Sequence, residues 1–365
     1  MKTYMPLNGL RWSRNSGSAN CDMPQSVVFG RPGGGNSNTS KERDISIDVI
    51  KFLAVLFIIN SHADMCYPKY SALATGGAIG DTLFLFCSGY TLFWGSLKRF
   101  DNWYKRRINR IYPSVFACLI VSAIIGKLTF ESLSLEKLGG SSFVLAIMVY
   151  YVLLYGVQKW FIDRIPWVIG ATAVVTLVAY WFFPYKYEVS NKGLYGITTL
   201  FRWIPYFAMM LMGAWLGLKT KKGEMQVKTI WKDPVLMIAC LLVFYGVQFA
   251  AKKMPAVAPW QIVTIPFLAG IVYYFWRCCN AEWLRKVYGT KTGNWLIMAI
   301  GGLCLESYLI QFSLFTDKMN FLFPLNIPLM MLIILVVSYM CRCLARIISQ
   351  TFRTEDYEWG KVFEL

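Results

Sequence analysis

The stretch RDISIDVIKFLAVLFIINSHAD runs from Arg43 to Asp64. Between Ile45 and Ala63 it is mostly apolar and close to the ~20 residues that a helix needs to cross a hydrocarbon core. It nevertheless keeps Asp48 and Lys51, one helical turn apart, at one end and His62 at the other. Ionisable side chains in a membrane helix are costly and mark function by default. An i, i+3 ion pair at an interface would account for Asp48 and Lys51 equally well.

Working outward, comparable apolar stretches recur near 77–97, 111–129, 141–158, 165–184, 197–218, 234–251, 258–276, 295–316 and 325–345, giving ten with 45–63. Pro259 and Pro266 weaken one of them, although membrane helices tolerate proline where neighbours re-satisfy the backbone. The composition agrees: 56% of the 365 residues are hydrophobic and only 16% charged. Soluble domains carry about 25% charged residues, and so few charges would not cover a water-facing surface. The expected fold is all-α, a polytopic membrane bundle of about ten transmembrane helices.

A net charge of +17 would point to nucleic acid in a soluble chain. Its distribution gives another reason. With a cytoplasmic N-terminus, the inner segments hold 27 Lys and Arg, and the outer loops hold eight: Lys69, Lys127, Lys137, Lys186, Lys192, Lys252, Lys253 and Lys318. That bias follows the positive-inside rule and predicts both termini cytoplasmic, with no nucleic-acid partner. Residues 1–42 lack an apolar signal-peptide core, and RPGGGNSNTS (Arg31–Ser40) predicts a disordered cytoplasmic tail. The expected organisation is that tail, a transmembrane domain over 43–350 and a cytoplasmic C-terminal tail over 351–365. The ten cysteines show no metal-ligand spacing, so no metal is expected.

Chemistry must then be done by helices and their ends. His62 is the one histidine of the chain, and histidine is the side chain best suited to move protons near neutral pH. IGDTLFLFCSGYTLFW (Ile79–Trp94) carries Asp81 toward the outer end and Ser88-Gly89-Tyr90 at mid-depth. Gly89 would let another helix or a substrate chain come close. WYKRRINRIYP (Trp103–Pro113) sets Arg106 and Arg107 one turn from Arg110 on the inner face. Such a fork suits phosphate groups; it suits a positive-inside anchor with an aromatic belt as well. Arg202 enters the sixth span from outside, and Glu306 sits mid-depth in the ninth, ahead of Gln311. The pattern is phosphate-friendly inside and capable of proton transfer outside.

These segments resemble, in order, the motifs of the acyltransferase-3 family of membrane acyltransferases. Asp48-x-x-Lys51 with His62 is similar to its first-helix motif, and IGDTLFLFCSGY to its G-x-x-x-F-F-x-x-S-G-[FY] segment. RRINRIYP is similar to R-x-x-R-I-x-P, FRWIPYFAMMLMGAWLG to R-x-x-x-F-x-x-G-x-x-x-G, and LCLESYLIQ to S-x-x-x-Y-L-x-H. Two departures stand out: Lys51 replaces an arginine that it does not match as a bidentate donor, and Gln311 replaces a histidine.

The resemblance implies an acyl-CoA-dependent O-acyltransferase of the bacterial inner membrane. It would move an acyl group, expected to be acetyl from acetyl-CoA, to a hydroxyl of a surface polysaccharide or lipid-linked saccharide. Arg106, Arg107 and Arg110, with Lys51, would hold the coenzyme A phosphates, and the pantetheine arm would pass Ser88 and Tyr90. His62 would be the general base, oriented by Asp81 or Glu306, with Arg202 or Tyr90 facing the oxyanion. No permanently bound cofactor is expected. A transporter or flippase of a glycan or other polar substrate, and a non-catalytic scaffold, are the rival readings.

Overall fold

The computed structural model describes residues 44–129, 131–182, 200–225, 227–352 and 355–364, which lie in one compact unit from Asp44 onward. The tail expected over 1–42 lies outside the described residues, as do Lys186 and Lys192. In chain order the helices are α1 (Ile45–Ser61), α2 (Gly77–Leu92), α3 (Phe100–Ile124), α4 (Leu135–Leu138), α5 (Ser141–Trp160), α6 (Ile165–Phe182), α7 (Trp203–Lys221) and α8 (Lys232–Lys253). They continue with α9 (Thr264–Cys278), α10 (Glu282–Gly289), α11 (Lys291–Gly302), α12 (Cys304–Leu314), α13 (Asn326–Thr351) and α14 (Trp359–Val362). No strand occurs among the described residues.

Seven helices are long and apolar enough to cross a membrane, or eight if α11 and α12 count as one broken span. The stretches expected at 45–63 and 197–218 contain α1 and α7, helices of 17 and 19 residues that are not among those seven. Both are wrapped by other helices, each burying ten residues. α1 is as apolar as the longer helices but shorter than they are, whereas α7 is diluted by the lysines of its last turn. Unlike these two wrapped helices, α6 and α8 expose Val174, Leu177, Trp181, Leu236 and Leu242.

Two expected spans differ in detail. The stretch 295–316 bends by 66° between α11 and α12. Gly301 and Gly302 end α11, and glycine pairs are frequent kink sites. Gly301 also touches α1, where an added Cβ would stand 3.1 Å from Phe52 N and 3.3 Å from Asp48 O. The stretch 258–276 opens as a 3₁₀ helix, Pro255–Val263, and becomes α-helical only from Thr264. Pro255 is harmless at the first position, but Pro259 removes the donor that an α-helical bond back to residue 255 would need.

At the centre, α2 packs between α1 and α7. The α2–α7 contact is backbone on backbone. A Cβ on Gly89 would lie 2.0 Å from Met210 O, one on Gly213 2.1 Å from Phe86 O, and one on Gly217 2.3 Å from Tyr90 O. Lipid tails are as apolar as leucine, so helices in a membrane associate through such close approach of small residues. Phe86 meets Gly213 and Tyr90 meets Gly217, so the two helices run parallel in fixed register.

Gly213→Leu should therefore break the bundle, since overpacking costs about 1–3 kcal/mol even where neighbours yield, and here the obstacle is backbone. Gly246→Ala on α8, where an added Cβ meets nothing within 4 Å, should be neutral or slightly stabilising. Melting in detergent, read by the monodisperse gel-filtration peak, checks this; equal behaviour of the two variants would refute the clamp.

Candidate active site

The end of α1 and the start of α2 are held together by Asn60. Its Nδ2 donates to Leu73 O at 2.8 Å and Thr75 O at 2.9 Å, and its Oδ1 accepts from the Tyr67 hydroxyl at 2.7 Å. The chain then turns at Gly76, whose φ of 103° is left-handed and natural to glycine. Gly77 follows against Ser61, where a Cβ would stand 2.9 Å from the hydroxyl oxygen. This tight return sets Asp81, one turn into α2, beside the C-terminal end of α1.

His62 caps that end. Its ring lies 4.7 Å from the Phe312 ring of α12, tilted by 60°. A cavity of about 130 Å³ opens here, and His62, Asp81 and Arg202 all line it. Arg202 is the residue before α7, and its charge acts on both Asp81 and His62. Three residues drawn from three separate segments of sequence thus share one polar chamber.

Other lining residues were not singled out from the sequence: Tyr206, Tyr245, Gln248, Thr264 and Tyr308. Tyr206 stands one turn after Arg202 on α7, and Tyr245 and Gln248 share a face of α8 by i, i+3 spacing. Gln248 is 3% exposed, and its Nε2 has no hydrogen-bond partner. A buried donor of this kind calls for an explanation. The signal in the sequence is an uncharged glutamine in an apolar span, which carries less weight there than an ionisable group.

Glu306 is not brought to this cavity. It accepts from Ser114 Oγ at 2.8 Å on α3, is 6% exposed, and its charge reaches Arg346 of α13. Ser313, two turns on, faces Ser122 of the same α3 at 3.0 Å. That face of α12 is turned away from His62; of the nearby carboxylates, Asp81 lines the His62 cavity, while Asp64, two residues on from His62, acts on it by charge without lining the cavity. Tyr90 is likewise elsewhere. Its hydroxyl donates to Asp44 Oδ2 at 2.6 Å, and nine residues of α2 separate it from Asp81, about 13 Å along the axis. Of Tyr90 and Arg202, the two residues expected to face an oxyanion, only Arg202 lines the His62 cavity. Gln311 is fully buried and both its amide atoms lack a partner, yet it does not line the His62 cavity.

The arginine cluster lies on the first turns of α3. Arg107 stacks over Trp103, 4.7 Å from its ring centroid, and lies 5.7 Å from that of Tyr151 on α5. Its Nε is buried without a hydrogen-bond partner. The Tyr151 hydroxyl in turn is 3.2 Å from Ser88 Oγ on α2, so Arg107, Tyr151 and Ser88 form one continuous line into the bundle. Arg106 is half-buried and Arg110 exposed. Lys51 lies against Gly301 of α11, and the adjacent Asp48 accepts from the Tyr288 hydroxyl at 3.1 Å. Gly89, by contrast, is covered by α7 and serves the helix contact.

A family model described as an acyltransferase domain, Acyl_transf_3, matches residues 44–343. No curated protein and no solved structure is significantly similar. The family match spans all five motif segments together with the cavity around His62. The chain belongs to the acyltransferase-3 family of membrane acyltransferases.

Proposed function

We propose that the protein transfers an acyl group, acetyl in the simplest case, from acyl-CoA to a hydroxyl of a cell-surface or lipid-linked saccharide at the bacterial inner membrane. The observation that carries this reading is the cavity shared by His62, Asp81 and Arg202. The line from Arg107 through Tyr151 to Ser88 supports it from the other end of α2. Both termini would be cytoplasmic, with the arginines facing the donor and His62 facing the acceptor.

In this reading the coenzyme A phosphates rest on Arg106, Arg107 and Arg110. The guanidinium fork offers charge-assisted hydrogen bonds, and the aromatic slot holds Arg107 in one orientation. The pantetheine arm runs by Ser88 and Tyr151. From Ser88 to Asp81 is about 10 Å along α2, which brings the thioester to the His62 cavity. His62 accepts the proton of the acceptor hydroxyl as its oxygen bonds to the thioester carbonyl carbon. Asp81 stabilises the imidazolium, while Arg202 and Gln248 Nε2 face the developing oxyanion. When the carbon–sulfur bond breaks, the departing thiolate takes the proton back from His62. The products are an O-acyl ester and free coenzyme A.

Purified protein with labelled acetyl-CoA and surface glycan should transfer label to the glycan; intact glycan export with no transfer would favour a transporter instead. His62→Ala should lower transfer by about 10²–10⁴-fold without lowering the melting temperature, and unchanged glycan acylation would reduce the protein to a scaffold. Arg107→Gln should raise the apparent KM for acyl-CoA by about tenfold or more. Arg107→Lys should fail to restore it, because lysine lacks the planar group that stacks on Trp103. Unchanged donor saturation with faulty insertion would make the cluster an anchor. Gln248→Leu should lower kcat by about 10²-fold with KM little changed; a pure KM effect would assign Gln248 to ground-state binding.

A further inference from the structure

A second cavity, about 400 Å³ against about 130 Å³ for the first, lies between α3, the start of α5 and α12. Tyr308 lines both. Phe312, which lines the second, holds its ring 4.7 Å from that of His62. The two chambers therefore share a wall one aromatic side chain thick. That wall is fixed: Ser141 Oγ donates to the Tyr308 hydroxyl at 3.2 Å. Gly140 and Ser141 both hold left-handed backbone, with φ of 86° and 79°, a conformation that residues with side chains avoid.

The larger chamber is lined by Leu119, Leu128, Leu309 and Phe312, while Lys127 and Lys137 also line it as exposed bases. Gly126 turns the chain at the end of α3 with φ 71°, and the backbone N–H groups of Lys127 and Leu128 both donate to Ser122 O. Lys127 is thereby held at the helix end. Lys137 Nζ donates to Ser132 O at 2.8 Å. The face expected to be outside is poor in bases, and two of its eight meet at this one cavity. Glu136 is near enough for its charge to reach Tyr308, but it does not line the chamber.

We propose that this chamber anchors the acceptor through a phosphate-bearing apolar chain, the phosphate between Lys127 and Lys137 and the chain against Leu119, Leu309 and Phe312. The volume lies within the roughly 300–1,000 Å³ of ordinary ligand sites. Apolar walls with two cations match an anionic amphiphile in both halves, while the hydroxyls on the same walls are paired with one another, Ser122 with Ser313 and Ser141 with Tyr308. The saccharide carried by that phosphate then reaches across Tyr308 to His62. The assignment rests on the acyl-transfer reading.

Full-length protein in neutral detergent is titrated with dodecyl phosphate, inorganic phosphate and phosphatidylglycerol, with tryptophan fluorescence as the readout. Dodecyl phosphate should bind saturably, and the Lys127→Gln/Lys137→Gln pair should weaken it about tenfold or more. The Lys127→Arg/Lys137→Arg pair should restore binding to within about threefold, since the charge is kept. Inorganic phosphate at equal concentration should not compete. Unchanged binding in the glutamine pair, or equally tight phosphatidylglycerol, would overturn the subsite and leave ordinary headgroup contacts. A diazirine-tagged dodecyl phosphate should label peptides of α3 and α12 in the unaltered protein; labelling of α6 or α8 instead would also overturn it. If acetyl-CoA is consumed but the lysine pair proves irrelevant, only the subsite falls. If dodecyl phosphate binds but acetyl-CoA is never consumed, acyl transfer falls and the acceptor role falls with it.

Discussion

The backbone contact between α2 and α7 is the constraint on which the rest of the molecule depends. In lipid, no hydrophobic force draws two apolar helices together; close packing of small residues does. Gly89, Gly213 and Gly217 supply that closeness, and their spacing fixes the register. Carried two turns back from Phe86 and Gly213, the same register sets Ile79 beside Tyr206. It thereby brings the Asp81 turn of α2 to the Arg202 end of α7. Isolated, an arginine or an aspartate in this position would be costly. Each offsets part of the cost of the other, because the helix pair cannot slide.

The two ends of this pair are secured differently. At the Arg107 end, the Trp94 indole N–H donates to Gly217 O, and Lys221 Nζ donates to Trp94 O. There Asp44 both caps α1, accepting from Ser46 N, and accepts from the Tyr90 hydroxyl. Backbone and side-chain bonds thus tie α1, α2 and α7 into one block. At the His62 end, Asn60 fastens the loop between α1 and α2, but the cavity itself is left with polar groups facing inward. A rigid frame around a polar chamber suits the proposed positioning of a transient oxyanion, since donors that need not reorganise are the effective ones.

Much of this was legible in the sequence. Apolar length and the Lys/Arg asymmetry read as membrane helices, and His62, Asp81 and Arg202, far apart in the chain, do share a cavity. Helix rotation was not legible. A membrane helix is apolar on its lipid side and on its protein side, so periodicity says little about which face looks where. Glu306 and Tyr90 show the consequence: both occupy family-like motifs, but Glu306 turns to Ser114 and Tyr90 to Asp44. Gln248 was missed for a related reason, being a lone amide among apolar residues. The break after Gly302 was written in a glycine pair, but its angle depends on the packing of Gly301 against α1.

Gln311 bears on the proposed chemistry precisely because of what it is not. The related late motif often carries histidine there, which would give a second proton-transfer group. Glutamine cannot accept a proton near neutral pH, and Gln311 is fully buried away from the His62 cavity. His62 is the one histidine in the chain. In the proposed reaction, a single imidazole must therefore take the acceptor's proton and return it to the thiolate. That is simplest when acceptor and thioester meet in the cavity together, with the proton stored on His62 for one step and Asp81 holding the charge. An acyl-histidine intermediate would consume the same nitrogen needed as the base. The loss of the second histidine thus favours direct transfer between two bound substrates over a relay through the protein.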